Sequence, residues 1–179
     1  YPELSAGIEE TINNINMIRD INPKMLFEVG TEEAIRKFNP SELHILLETL
    51  SNHKLIKYVK YAVVQSGVGI DLGQRINTGK YDEVRLSEFI DICRYWKVLS
   101  KEHNGDYLSN QEMRDKFNVG LDAINIAPEF GQLETLCYLE HMGDDIQKYY
   151  DICYKSKRWE KWVSKDFVPS DNKKELIKI

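Results

Sequence analysis

Four polar residues stand near the ends of four short apolar runs. They are Glu28 in Met25-Leu26-Phe27-Glu28-Val29-Gly30, Gln65 in Tyr61-Ala62-Val63-Val64-Gln65-Ser66-Gly67, His103 in Val98-Leu99-Ser100-Lys101-Glu102-His103-Asn104, and Asn125 in Leu121-Asp122-Ala123-Ile124-Asn125-Ile126-Ala127-Pro128. Such runs read as buried parallel strands, and the C-terminal mouth of parallel strands is where α/β enzymes place their chemistry. Strand side chains alternate between faces. Leu26, Glu28 and Gly30 therefore share a face, as do Val63, Gln65 and Gly67, then Leu99, Lys101 and His103, then Ala123, Asn125, Ala127 and Glu129. If these faces converge, Glu28, Gln65, His103 and Asn125 ring one pocket. They are the candidate catalytic residues.

Each has a structural alternative. Gln65 and Asn125 could satisfy neighbouring strands or loops, as buried amides do. Glu28 is costlier to bury, so a cation, metal or ligand is expected beside it. His103, between Glu102 and Asn104, fits a metal ligand, a proton carrier or a hydrogen-bond donor to phosphate, and its neighbours Lys101 and Asp106 are candidate substrate-binding groups. Asp71 and Arg75 join them from a glycine-rich loop over 68–81, a length that is usually functional or mobile. His44, His53 and His141 read as solvent-facing. There is no dinucleotide fingerprint, phosphate-binding loop, nucleophile elbow or His-Glu-x-x-His, so nucleotide hydrolysis and serine-hydrolase chemistry have no support.

Helices must position these strands. The chain predicts one over 5–21, stopped at Asn22 by Pro23, and a loop with a short helical turn over 31–35. A helix follows over 43–50, capped by Asn39 or Ser41, and another over 83–95 with apolar residues at helical spacing. The third strand could instead continue that helix through Leu99. Ser109 and Glu112 have capping-box spacing ahead of a helix over 109–117, and further helices are expected over 132–141 and 144–163. The tail from Ser164 is too polar to build core. The fold class is α/β: half of a (β/α)8 TIM barrel over 1–142, with four parallel strands and their helices, and a C-terminal helical extension and tail over 143–179.

At 179 residues the chain is shorter than the roughly 250 of a whole barrel, and Tyr1 with a helix before any strand fits a segment of a longer protein. The net charge is −5 with acids and bases interspersed, which argues against nucleic acid as the main partner. No apolar stretch is long enough to span a bilayer and no signal peptide is evident, so no membrane role is expected. Cys93, Cys137 and Cys153 are odd in number and lack Cys-x-x-Cys spacing; they read as reduced core cysteines of a cytoplasmic protein, not a disulfide frame or zinc knuckle.

In order and spacing, three motifs resemble the class II ketose-bisphosphate aldolase superfamily, most closely the Z-type, non-catalytic subunit family of tagatose-bisphosphate aldolase. They are Gly30-Thr31-Glu32, Val63-Val64-Gln65-Ser66-Gly67-Val68 and Glu102-His103-Asn104-Gly105-Asp106-Tyr107. The likeness runs over about 25–142. It implies that the runs are strands five to eight, the C-terminal half of the barrel, and that Thr31 and Glu32 bind substrate. It also implies a divalent metal, zinc, with His103 as one ligand, although the region 67–71 supplies no second histidine. Catalytic members present backbone amides to phosphate after the last strands; Asp106, Pro128 and Glu129 depart from that pattern.

The expected role is in carbohydrate (sugar-phosphate) metabolism. The chain would be either the non-catalytic subunit of an aldolase or a diverged carbohydrate enzyme of the aldehyde-lyase type, with a sugar phosphate or related carbohydrate as ligand and a catalytic aldolase subunit or a second copy as partner. The alternative is an assembly or binding module without catalysis, with Tyr149, Tyr150, Tyr154, Trp159 and Trp162 forming the interface.

Overall fold

The computed structural model describes residues 3–30, 36–67, 69–169, Leu176 and Ile179. Helix α1 (Leu4–Ile21) buries Ile8 and Ile15 and stops at Asn22, as the following proline requires. It leads to β1 (Phe27–Val29). Helix α2 (Pro40–Asn52) begins with a capping box: the Asn39 side chain accepts the Glu42 N–H at 2.9 Å, and Glu42 accepts the Asn39 N–H at 2.9 Å. Such a cap contributes about 1 kcal/mol. Leu43, Leu46, Leu47 and Leu50 form its buried stripe, the spacing of one helical face.

A 3-10 turn (Ile56–Tyr58) enters β2 (Val59–Val64). The loop expected over 68–81 contains a small antiparallel hairpin, β3 (Ile70–Asp71) and β4 (Ile76–Asn77). Helix α3 (Glu83–Trp96) buries Leu86, Phe89, Ile90 and Cys93. Lys97 then adopts a left-handed conformation, φ 58°, which ends the helix and frees β5 (Leu99–Glu102) to be a strand. The helical alternative for this segment is thereby removed.

Helix α4 (Asn110–Val119) has the predicted capping box of Ser109 and Glu112 and ends at Gly120, whose φ of 112° suits glycine. Strand β6 (Ala123–Ile124) is followed by α5 (Pro128–Leu139), which starts at Pro128, ahead of the expected Gln132, because proline fits a first helical turn. The single helix expected over 144–163 is corrected to two pieces. A 3-10 turn (Gly143–Asp145) precedes α6 (Ile146–Ser156), which ends at left-handed Lys157 before a second 3-10 turn (Arg158–Trp162).

The main sheet runs β1-β2-β5-β6, every pair parallel, so spatial order follows chain order. Successive helices pack on one another, α1 on α2, α2 on α3 and α3 on α4. One core joins them to a single face of the sheet: Val29, Ala62 and Val64 lie in the same cluster as Leu43, Leu47, Leu50, Leu86, Phe89 and Ile90. A doubly wound sheet would reverse its strand order and carry helices on both faces. Here the strand order does not reverse and the core of α1, α2 and α3 lies on one face, which is compatible with part of a TIM-like fold. No helix among the described residues is long and apolar enough to cross a membrane.

Of the three cysteines expected in the core, Cys93 is buried there, Cys153 is half-buried, and Cys137 is corrected to an exposed position. Burial, helped by the charge of Asp122, pushes the Cys93 thiol up to about 12. The thiolate is the reactive form, so Cys93 is expected to resist thiol reagents at neutral pH in the native chain while exposed Cys137 reacts readily. A thiol-disulfide dye titration checks this: Cys93→Ser should leave the fast native phase unchanged and remove a thiol only after denaturation. A reduced fast phase would mean that the core opens.

Candidate functional site

Register sets the site. Glu28 pairs with Tyr61 and Tyr61 with Leu99, while Val63 pairs with Lys101 and Lys101 with Ala123. These residues have the parity opposite to the core-facing Val29, Ala62 and Val64, so they line the sheet face away from the helices. There Glu28 reaches across β2. Its Oε2 accepts from Lys101 Nζ at 2.5 Å, and its Oε1 is hydrogen-bonded to His103 Nε2. The Lys101 ammonium lies 5.3 Å from the centroid of the Tyr61 ring.

The Glu28, Lys101 and His103 side chains keep 27, 19 and 21% of their surface open, enough for a ligand to touch all three. Partial burial alone would raise the Glu28 carboxyl, but hydrogen bonds from Lys101 and His103 and their charges outweigh it and hold Glu28 below the ordinary 4.5.

A depressed carboxylate stabilises the native state above its unfolded pKa and loses that contribution as the pH falls through the lower, folded value. The stability gap between the native chain and Glu28→Gln is therefore expected to close as the pH drops below about 4.5. Urea midpoints across that range measure it; a gap that does not change with pH would show that the cluster is not formed in solution.

The other candidates are placed as follows. Gln65 is buried, with Oε1 accepting the Phe38 N–H at 3.0 Å and Nε2 donating to the Arg36 carbonyl at 2.9 Å. Arg85 ties the same loop down, donating at 2.6 Å both to the Gln65 carbonyl and to that of Phe38. The amide thus holds the segment that enters α2. Asn125 extends the β5–β6 ladder through its backbone, donating to the Glu102 carbonyl at 2.8 Å and accepting the Gly105 N–H at 2.9 Å, and its parity puts it on the same face as Ala123.

Asp71 accepts the Gln74 N–H at 2.8 Å inside the hairpin turn, and Arg75 is exposed beside it with φ 58°. Asp106 is buried and accepts the N–H groups of Ala127 and Glu129 at the start of α5. Thr31 and Glu32 lie outside the described residues. The structure thus unites Glu28, Lys101 and His103, while Gln65, Asp71 and Asp106 are engaged with backbone. His44 is corrected: its Nδ1 accepts from Trp96 Nε1 at 3.2 Å, within an aromatic group with Tyr95.

One buried cluster escaped the sequence reading. Glu102 and Lys116 form an ion pair at 2.8 Å with side chains 0 and 1% exposed. Lys116 also donates to Ser66 Oγ at 2.8 Å, and Glu102 accepts from the Ser66 hydroxyl and, at 3.1 Å, its N–H. The parity of Glu102 was the available signal. It shares a face with Ser100, toward the helices, where a carboxylate needs a cation.

Among the described residues no group of three or more His, Cys, Asp or Glu side chains is placed to hold a metal ion. Among the described residues, His103 Nε2 is hydrogen-bonded to Glu28, which also binds the Lys101 ammonium.

No protein-family profile matches the sequence, and no curated protein is significantly similar to it. A solved structure does resemble it: a glycerol complex of fructuronate-tagaturonate epimerase UxaE from Cohnella laeviribosi, with a TM-score of 0.55 at 14% identity. The match covers 82% of this chain and 31% of the epimerase. What is shared is the fold. The present chain spans under a third of that enzyme's length and reproduces the α/β arrangement of one segment of it.

Proposed function

We propose that the chain is a carbohydrate-handling segment of a TIM-type barrel, related to the non-catalytic tagatose-bisphosphate aldolase subunits. The observation that carries this reading is the Glu28–Lys101–His103 cluster on the face of consecutive parallel strands opposite the core that α2 and α3 cover. A carboxylate, an ammonium and an imidazole side by side can accept from and donate to vicinal hydroxyls and can move a proton at a carbonyl-bearing carbon. The fold likeness to an epimerase named for fructuronate and tagaturonate supports the same class of ligand. The test is calorimetry of the chain with D-tagatose, D-tagaturonate and tagatose bisphosphate. Binding that is lost in Glu28→Gln supports the proposal; no heat from any of the three overturns it.

A second reading, association, has its own observation. Strands β1 and β6 carry unpaired edges among the described residues, and Leu26 and Leu99 are 53 and 39% exposed. Open edges and apolar surface of this kind are normally covered by closure or by a partner. Tyr150 meanwhile stacks on Tyr154 and Tyr154 on Trp159, at centroid distances of 5.9 and 6.3 Å, and Phe167 lies tilted 5.8 Å from Trp159, so these rings already engage one another. Sedimentation velocity distinguishes the outcomes. A dimer supports a second copy as the partner, a monomer that joins an added catalytic aldolase subunit supports that subunit, and a monomer that joins neither overturns the association reading.

A further inference from the structure

Two of the backbone amides that open α5 are already taken by the chain's own Asp106 carboxylate, and this constrains the ligand of the Glu28, Lys101 and His103 cluster. A helix N-terminus presents free N–H groups and readily takes a phosphate. In barrels, the loops after the last strands together with such a terminus commonly form the phosphate site. Here Asp106, 1% exposed, occupies that position: its Oδ1 accepts the Ala127 N–H at 3.0 Å and the Glu129 N–H at 2.8 Å. Glu129 in turn accepts the Tyr107 N–H at 2.9 Å.

The loop bearing Asp106 is fixed from two sides. Asn77 Nδ2 donates to the carbonyls of Asn104 and Asp106 at 2.9 and 3.1 Å, and the Gly105 N–H is held by the Asn125 carbonyl. Gly105 is packed so closely that a Cβ would stand 2.0 Å from Ile124 Cγ2. Asp106 has no ion pair among the described residues, and its Oδ2 is buried without a hydrogen-bond partner. A dianion arriving here meets the Asp106 carboxylate where the Ala127 and Glu129 amides would otherwise be offered. The Lys101 ammonium of the cluster is paired with Glu28.

We infer that the cluster of Glu28, Lys101 and His103 takes an unphosphorylated monosaccharide, the β5 and β6 strand ends being closed to a phosphate ester by Asp106 and Glu129. The inference rests on the carbohydrate reading above and narrows it. The experiment is a titration of the isotope-labelled full chain, followed by amide NMR, with D-tagatose, tagatose bisphosphate and inorganic phosphate.

The expected result is that tagatose moves the Lys101 and His103 signals, whereas millimolar phosphate leaves Ala127 and Glu129 in place. Asp106→Ala should raise the affinity for inorganic phosphate at least about tenfold, because a like charge a few Å away costs more than the about 1.4 kcal/mol that a decade of affinity represents. If that variant does not fold, the wild-type titration decides alone. Phosphate-induced movement of Ala127 and Glu129, or tagatose bisphosphate binding more tightly than tagatose, overturns the inference and leaves the carbohydrate reading intact. Binding of neither sugar overturns the reading and the inference with it.

Discussion

Replacing Lys116 by Met is expected to lower folding stability by about 3–5 kcal/mol, the range for removing one partner of a buried ion pair. The reason is the residue left behind. Glu102 is 0% exposed, and without the Lys116 ammonium its charge would have the Ser66 donors but no cation. Against a typical total of about 5–15 kcal/mol, that is a large share of what holds a domain together. The loss should come from the stranded carboxylate and not from poorer packing, since methionine fills a similar volume. Adding Glu102→Gln to Lys116→Met is therefore expected to restore most of the stability. Urea unfolding at neutral pH measures both variants. A single-variant loss under about 1 kcal/mol would mean that solvent reaches the pair; a double variant as unstable as the single one would mean that lysine packing, and not charge, was lost.

This cluster also shows where sequence reasoning stops. Helices α1, α2 and α3 were legible because each carries an apolar stripe at helical spacing. Asn39 with Glu42 and Ser109 with Glu112 are chemistry within one turn, visible without knowing the fold. The parallel strands were legible as apolar runs, and their alternation correctly separated Lys101 and Glu28 from the core-facing set.

Lys116 was not legible. It lies on an amphipathic helix of ordinary composition, and only the docking of α4 against β5 brings it to Glu102. Gln65 and Asp106 share the parity or the neighbourhood of the cluster, but their partners are backbone groups of loops whose paths no local pattern encodes. The hairpin over Ile70–Asn77 was hidden because its strands are two residues long, too short for alternation to show. The break at Lys157 escaped because its left-handed conformation is carried by lysine, a residue that gives no such warning.

His103→Ala is expected to weaken D-tagatose binding at least about tenfold, the cost of roughly one good hydrogen bond to a charged group, while changing stability by less than about 1 kcal/mol. The two effects separate because of where the residue sits. Its side chain keeps 21% of its surface open at the end of β5, so truncation makes no sealed cavity, and Glu28 retains Lys101 at 2.5 Å as a counter-charge. A ligand hydroxyl, by contrast, would lose the imidazole that orients it and would face a carboxylate freed on one side.

His103→Gln is the control. It offers an amide donor in place of the imidazole N–H, and it should recover part of the affinity if His103 acts by positioning Glu28 and the ligand through hydrogen bonds. No recovery, with a pH dependence of binding that disappears in both variants, would show that His103 works as a titrating group. A large drop in melting temperature with unchanged affinity for tagatose would show that it is a structural residue, and the site would have to be sought elsewhere on the chain.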